Sequence, residues 1–473
     1  MEKELNRYQI LILTLYACLI TMGVLIHEPW RDEGQAWLIT RDLSIPDILR
    51  QMGYEGTPAL WHLILTPFAK LGFPYLTMHI VHVVIAVATV FVFVKYAPFP
   101  TSIKALFIFS YFMAYEYAVV ARNYDIGILM LFLIAAFYDR RFQKPVLFAT
   151  LVLLLYNSNA LVFFPALAIT ILFALELRKN VRPQTMHYAA ISIMVLAALM
   201  AYLQMRPAAD NGARPIVNYV GMFVAISNTF IPCNSSLWVK IGASLFFTVF
   251  LLTQAIYLVK KPAGLFLFFM SYVGLLFVFT YRTLGFMRHY GFILVFLLFI
   301  LWIYNTHKRT FTYTALTVSL IISVSVAART YYDEFQYNFS GGKDMANFII
   351  HGGYTKHTII AYQGPNATSI LPYLPAIKLW YPETQGFHTF FITNQILVSN
   401  MYLSTDEVLR RARNNFSDMS KTLFLLTYPL ENAEALNLTL VHSSHNKPFW
   451  CRWDNHESYW LYKTNDTPLK NTY

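Results

Sequence analysis

Hydrophobic positions along the chain gather into long continuous runs between Tyr8 and Ala328, separated by short polar breaks. A run of about 20 apolar residues is what a helix needs to cross a hydrocarbon core ~30 Å thick. The first such helix is predicted from Tyr8 to His27 and another from Tyr75 to Val94. Between them, Ala59 to Leu71 is apolar but too short to cross, which predicts a segment lying in the interface or dipping into it. Val217 to Phe230 is open to the same re-entrant reading.

The pattern changes at Arg329, where Asn, Asp, Ser, Thr, His and Lys return and no spanning run remains. Two parts are therefore expected: a transmembrane part over 1–328 and a soluble α/β domain over 329–473. In the second part Ser340 to Ile349 has a helical period, and His357 to Tyr362 has the pattern of a buried strand. A helix at Thr405 to Asn414 and strands at Thr422 to Thr427 and Tyr459 to Lys463 follow. This part contains no Gly-rich phosphate loop and no catalytic-triad pattern.

Composition agrees with the runs: 57% of the 473 residues are hydrophobic and only 13% are charged, far from a soluble average. Cys18, Cys233 and Cys451 lie too far apart for a zinc motif or a disulfide framework. The net charge of +11 is spread over short loops, which argues for membrane topology and against nucleic acid. Lys- and Arg-rich loops stay cytoplasmic. Lys95 to Lys104, Asp139 to Lys144, Leu177 to Arg182, Lys260 with Lys261, and Thr306 to Arg309 all fall on one side with the N-terminus. Val120 to Asp125, Tyr156 to Asn159, Arg206 to Ser236 and Tyr281 to His289 fall on the other. The expectation is a multi-pass protein of the plasma (inner) membrane with about eleven crossings. Its N-terminus is cytoplasmic, its first helix is retained, and its C-terminal domain is extracytoplasmic.

Charges at membrane depth cost roughly 2.5 to 3.5 kcal/mol each, so the charged stretches at outer span ends call for a reason. They are Trp30 to Trp37 (WRDEGQAW), Tyr54 to His62 (YEGTPALWH), Tyr115 to Asp125 (YEYAVVARNYD) and Tyr281 to His289 (YRTLGFMRH). Structural roles are open to each. Asp32 and Glu33 suit a helix N-terminus, Arg122 can reach lipid headgroups, Asp125 suits the start of the next helix, and Glu116 can neutralise a neighbouring Arg. Arginines on the outer side run against the topology rule, which favours a functional reading. An ionised Asp accepts a proton from an attacking hydroxyl, and Arg forks grip phosphate. Together these groups describe transfer from a lipid-linked phosphate.

The order of these features resembles the GT-C glycosyltransferases, polytopic enzymes that take sugars from polyprenyl-phosphate carriers. Protein O-mannosyltransferases and lipid A aminoarabinose transferases are among its members. Asp32-Glu33 in RDEGQAW looks like the acidic signature of the first outer loop. EGTPALWHLILTPFAKLG, Glu55 to Gly72, is similar to the following aromatic-rich stretch, with Thr57 where the family commonly has His. Tyr115 to Leu131 resembles a Glu/Ala-Arg-x-Tyr turn, and MRHYG, Met287 to Gly291, an Arg-His turn of bacterial members. SGGKDMANFI looks like the start of their outer domain.

The resemblance implies an inverting transfer to an acceptor hydroxyl on the extracytoplasmic face. Asp32 would be the general base, and Glu33 would position acceptor or base, or help hold a divalent cation if one is used. Arg122, Tyr124, Arg282, Arg288 and His289 would hold the donor phosphate. Arg31, Tyr54, Glu55 and Glu116 would contact substrate. The expected partners are a polyprenyl-phosphate-linked sugar, a glycan, lipid or protein acceptor, and the bilayer, with no nucleic acid. A polytopic transporter or lipid flippase and a non-enzymatic assembly factor are the competing readings. Midplane sites built on broken helices and internal repeats, the mark of transporters, are not visible in the sequence.

Overall fold

The computed structural model describes residues 4–180, 182–213, 217–281, 285–304, 310–374, 377–452 and 456–465. The expected Thr306 to Arg309 loop and Arg282 lie outside the described residues. Among the described residues eight helices are long and apolar enough to cross a membrane. They are α1 (Arg7–Ile26), α5 (Leu76–Tyr96), α9 (Phe163–Asn180), α10 (Thr185–Met205), α12 (Leu237–Leu258), α13 (Pro262–Tyr281), α14 (Met287–Tyr304) and α15 (Thr310–Gln336). The chain is thus a mostly helical, multi-pass membrane protein with a small sheet at its C-terminal end.

Shorter helices fill the intervals. The stretch after α1 holds α2 (Arg31–Asp42), α3 (Ile45–Glu55) and α4 (Leu60–Lys70). The segment expected to dip or lie flat is α4, whose 11 residues rise about 16 Å, half a hydrocarbon core. Then come α6 (Thr101–Ile108), α7 (Tyr124–Phe137), α8 (Pro145–Tyr156) and α11 (Gly221–Phe230). Between α6 and α7 the backbone makes a five-residue π-helical turn at Phe112–Glu116. Such turns insert a residue into a helix and re-aim the side chains that follow.

The C-terminal sheet has the order β3-β2-β1-β4-β6-β5. Its strands are β1 (Thr358–Ala361), β2 (Leu379–Tyr381), β3 (Gly386–His388), β4 (Thr422–Leu426), β5 (Leu438–Ser444) and β6 (Tyr459–Thr464). The central strand β1 runs parallel to β2 and β4, and the outer pairings are antiparallel. Helix α16 (Gly342–His351) covers one face, and α18 (Thr405–Asn415) the other.

The expected boundary at 329 falls inside α15, which continues without a break to Gln336. The two parts also interleave. Leu38 of α2 is buried in the core of the sheet face that holds Met345 and Ile359. Phe339, Phe449 and Cys451 are buried in the core of the helical part. At Gly34 a methyl group would sit 1.9 Å from the Thr368 carbonyl oxygen, so α2 lies with its backbone directly on the turn after β1.

Candidate functional site

Helix α2 begins immediately after Trp30, so Asp32 and Glu33 occupy its first turn, where the free amides and the helix dipole favour acids. Neighbours on a helix point about 100° apart, and these two carboxylates enter different surroundings.

Glu33 turns inward and is fully buried. Its oxygens accept from four donors: the Trp30 amide at 3.1 Å, the Ala121 amide at 2.7 Å, His27 Nε2 at 3.1 Å and His79 Nε2 at 3.2 Å. The other ring nitrogen of His27 donates to Glu334 at 2.9 Å, and Tyr115 donates to the second oxygen of Glu334. Burial alone lowers the His27 imidazole, and Glu334 and Glu33 outweigh it, raising it to about 10. A doubly donating imidazolium therefore joins α1, α2 and α15. Burial acts to raise the Glu33 carboxyl, but His27 and His79 hold it well below the usual range. Glu33 is thus committed to holding the start of α2.

Asp32 points instead into a polar recess where its side chain keeps 22% exposure. Arg122, from the turn before α7, grips its Oδ2, and Arg288, from the first turn of α14, stands 3.5 Å from the same oxygen. Burial pushes the Asp32 carboxyl up, and Arg122, Arg288 and Arg31 outweigh it, holding it well below the carboxylate range. Arg122 also lies 5.8 Å over the Tyr124 ring. His289 Nδ1 accepts from the Phe286 amide, which leaves the Nε2 proton to reach Tyr124 Oη at 3.1 Å. Asp32, Arg122, Tyr124, Arg288 and His289 thus lie close together.

Arg31 borders this group but is anchored to the C-terminal part. It donates to Asn366 Oδ1 at 2.6 Å, and its amide donates to Glu457 at 3.0 Å. Glu55 accepts from Gln35 and Gln51, both at 3.0 Å, and its carboxyl is raised by burial, with Arg122 and Asp32 close enough to act on it in opposite directions. Tyr54 turns away to donate to Asp210. Glu116 accepts from Tyr111 at 2.7 Å and from Arg452 at 3.1 Å, with both charged side chains buried. This is the neutralising role left open for Glu116.

Trp30 is the hub that the sequence did not single out. Arg31 and Arg288 lie 5.4 Å from its ring centroid and Arg452 5.1 Å. The indole is 1% exposed, so the quadrupole of one desolvated ring faces three guanidiniums. His62, on α4, was also missed, although it ends the quoted YEGTPALWH stretch. Its Nδ1 is buried without a hydrogen-bond partner, and burial together with Arg122 lowers the ring to about 3. A neutral imidazole beside Arg122 can exchange hydrogen bonds with a hydroxyl.

Among the described residues no group of three or more His, Cys, Asp or Glu is arranged to hold a metal ion. Glu33, with both oxygens occupied by protein donors, is not disposed to be a ligand. The recess offers one carboxylate shared by two guanidiniums, a neutral histidine and a tyrosine, a set suited to an anion beside a proton acceptor. No protein-family model matches this chain, and no curated protein matches it.

Proposed function

We propose that the protein is a membrane glycosyltransferase of GT-C type. It would move a sugar from a polyprenyl-phosphate carrier to an acceptor hydroxyl on the extracytoplasmic face, through about eleven crossings that place the C-terminal unit on that side. The single observation that carries this reading is the Asp32 carboxylate shared between Arg122 and Arg288. The two guanidiniums are the donor-phosphate clamp, and Asp32 is its place-holder before the donor arrives.

When the phosphate enters, its oxygens compete for Arg122 and Arg288 and loosen their hold on Asp32. The freed carboxylate recovers basicity and takes the proton of the acceptor hydroxyl. The hydroxyl oxygen bonds to the anomeric carbon. The bond from that carbon to the phosphate oxygen breaks, its electron pair stays on the phosphate, and the configuration inverts. Arg122 and Arg288 bear the charge that builds on the leaving group, and no general acid is needed. Glu33 supports the reaction by fixing α2, so that Asp32 faces the clamp. His62 and Glu55 stand where acceptor or sugar hydroxyls are received.

The test is transfer from a labelled lipid-linked sugar by purified Asp32→Asn protein in detergent or nanodiscs. Loss of turnover is expected in protein that still unfolds in one cooperative thermal transition. Wild-type turnover by this variant would remove the base assignment, and transport of the lipid-linked sugar without transfer would favour a flippase.

A further inference from the structure

A second feature lies on the flank of α15, away from the Asp32 recess. Ile321, Ile322, Ser325, Val326 and Arg329 line a cavity of about 510 Å³ together with Cys233 and Trp450. The α15 residues follow i, i+4, i+8 steps, 321-325-329 and 322-326, and so form one stripe along the helix. From Ile321 to Arg329 the stripe rises about 12 Å, close to the thickness of one hydrocarbon leaflet. Its apolar end lies near mid-helix, and its cationic end lies toward the C-terminal sheet.

The neighbours say what surrounds this groove. Val318 and Ile321 on the same helix are about half exposed, so this side of α15 faces hydrocarbon. At the other end an arginine and a tryptophan stand side by side, the residue types that sit at headgroup level. Arg329 is held by Asp333 at 3.1 Å, and the other Asp333 oxygen accepts from the Trp450 amide at 2.9 Å. The guanidinium thus stands beside Asp333, half exposed, with one nitrogen of its five-donor fork in that ion pair.

We infer that this groove binds a phospholipid of the surrounding bilayer, in the leaflet next to the C-terminal sheet. One acyl chain lies along Ile321, Ile322 and Val326, and the phosphate meets Arg329. Trp450 closes the headgroup end. Because Trp450 is two residues from Arg452, the bound lipid also braces the segment that reaches the Trp30 ring.

The experiment uses the full-length protein in nanodiscs carrying phosphatidylglycerol with a photoactivatable diazirine in one acyl chain, with labelled positions mapped by peptide mass spectrometry. Label is expected to concentrate on Ile321 to Val326. It should fall about tenfold in Arg329→Gln, which removes the charged contact, and in Ser325→Trp, which fills the groove. Label at Val195 and Leu196, exposed on α10, should stay unchanged in both variants. Even labelling of α10 and α15, or labelling insensitive to both substitutions, overturns the inference. So does displacement by unlabelled isoprenoid phosphate but not by unlabelled phosphatidylglycerol, which would give the groove to an isoprenoid lipid. None of these readouts depends on sugar transfer, so the outcome stands apart from the proposed activity.

Discussion

Arg452 donates to Glu116 at 3.1 Å, joining the C-terminal part to the π-helical turn inside the helical part through side chains that water does not reach. Removing one partner of a buried pair strands the other charge, at a cost of about 3–5 kcal/mol. Arg452→Met should therefore lower the thermal unfolding temperature of the detergent-solubilised protein clearly. Glu116→Gln in the same chain should recover part of the loss. Additive losses in the double variant would show that the two side chains do not act as a pair.

On the glycosyltransferase reading proposed above, the shared hold on Asp32 makes donor binding a competition. Arg122→Gln and Arg288→Gln should each raise the KM for the lipid-linked sugar by about 10- to 100-fold, the loss of a charge-assisted contact, with a smaller change in kcat. Asp32→Asn should do the opposite to binding: without its charge the clamp is open, and the labelled carrier should bind more tightly although it is not turned over. Equilibrium binding to the solubilised variants checks this. Weaker binding by Asp32→Asn would mean that the carboxylate does not occupy the phosphate position.

His27 gives a pH signature. Its folded-state pKa of about 10 lies above the ordinary value of 6.5. The charged ring therefore stabilises the fold fully below about pH 6.5, and that contribution is lost as pH rises toward 10. Glu28 and Glu457 are raised to about 7 by burial and lose their share lower, between pH 4.5 and 7. The difference in unfolding temperature between wild type and His27→Gln isolates the histidine. It should be largest at or below pH 6.5 and shrink by pH 10. A difference that grows with pH would contradict the ion-pair geometry around Glu33 and Glu334.

Gly34→Ala places a methyl group against the Thr368 carbonyl, a backbone atom that cannot turn aside. Residues 364–374 should become more open to protease, because the substitution lifts them off α2, while α5 and α14 should keep their protection in hydrogen exchange. Unchanged proteolysis would show that the contact is not tight.

The helical part was legible because the bilayer imposes long apolar runs, and Asp32, Arg122 and Arg288 were legible because charge at span ends is rare. That Arg122 and Arg288 meet at one Asp32 oxygen was not legible, because loop order does not fix which loops touch. Roles within pairs were not legible. Glu33 sits beside Asp32 in the chain, yet faces His27 and His79 because consecutive helical positions diverge. His27 meets Glu334 across 307 positions, and Arg452 meets Glu116 across 336. Strands β2 and β3 have three residues each, too few to show a period. In β5 a bulge between Leu440 and His442 breaks the alternation.

Helix α15 passes through residue 329 as an unbroken rod and hands directly into a segment whose Phe339 is buried among the helices. A stiff mast of this kind carries the chain straight from the helical part to the start of the C-terminal part. The sheet then stands as a wall beside the Asp32 group, and on the glycosyltransferase reading proposed above a lipid-linked donor reaches that group sideways from the bilayer, because the seam between α2 and the turn after β1 is closed at Gly34.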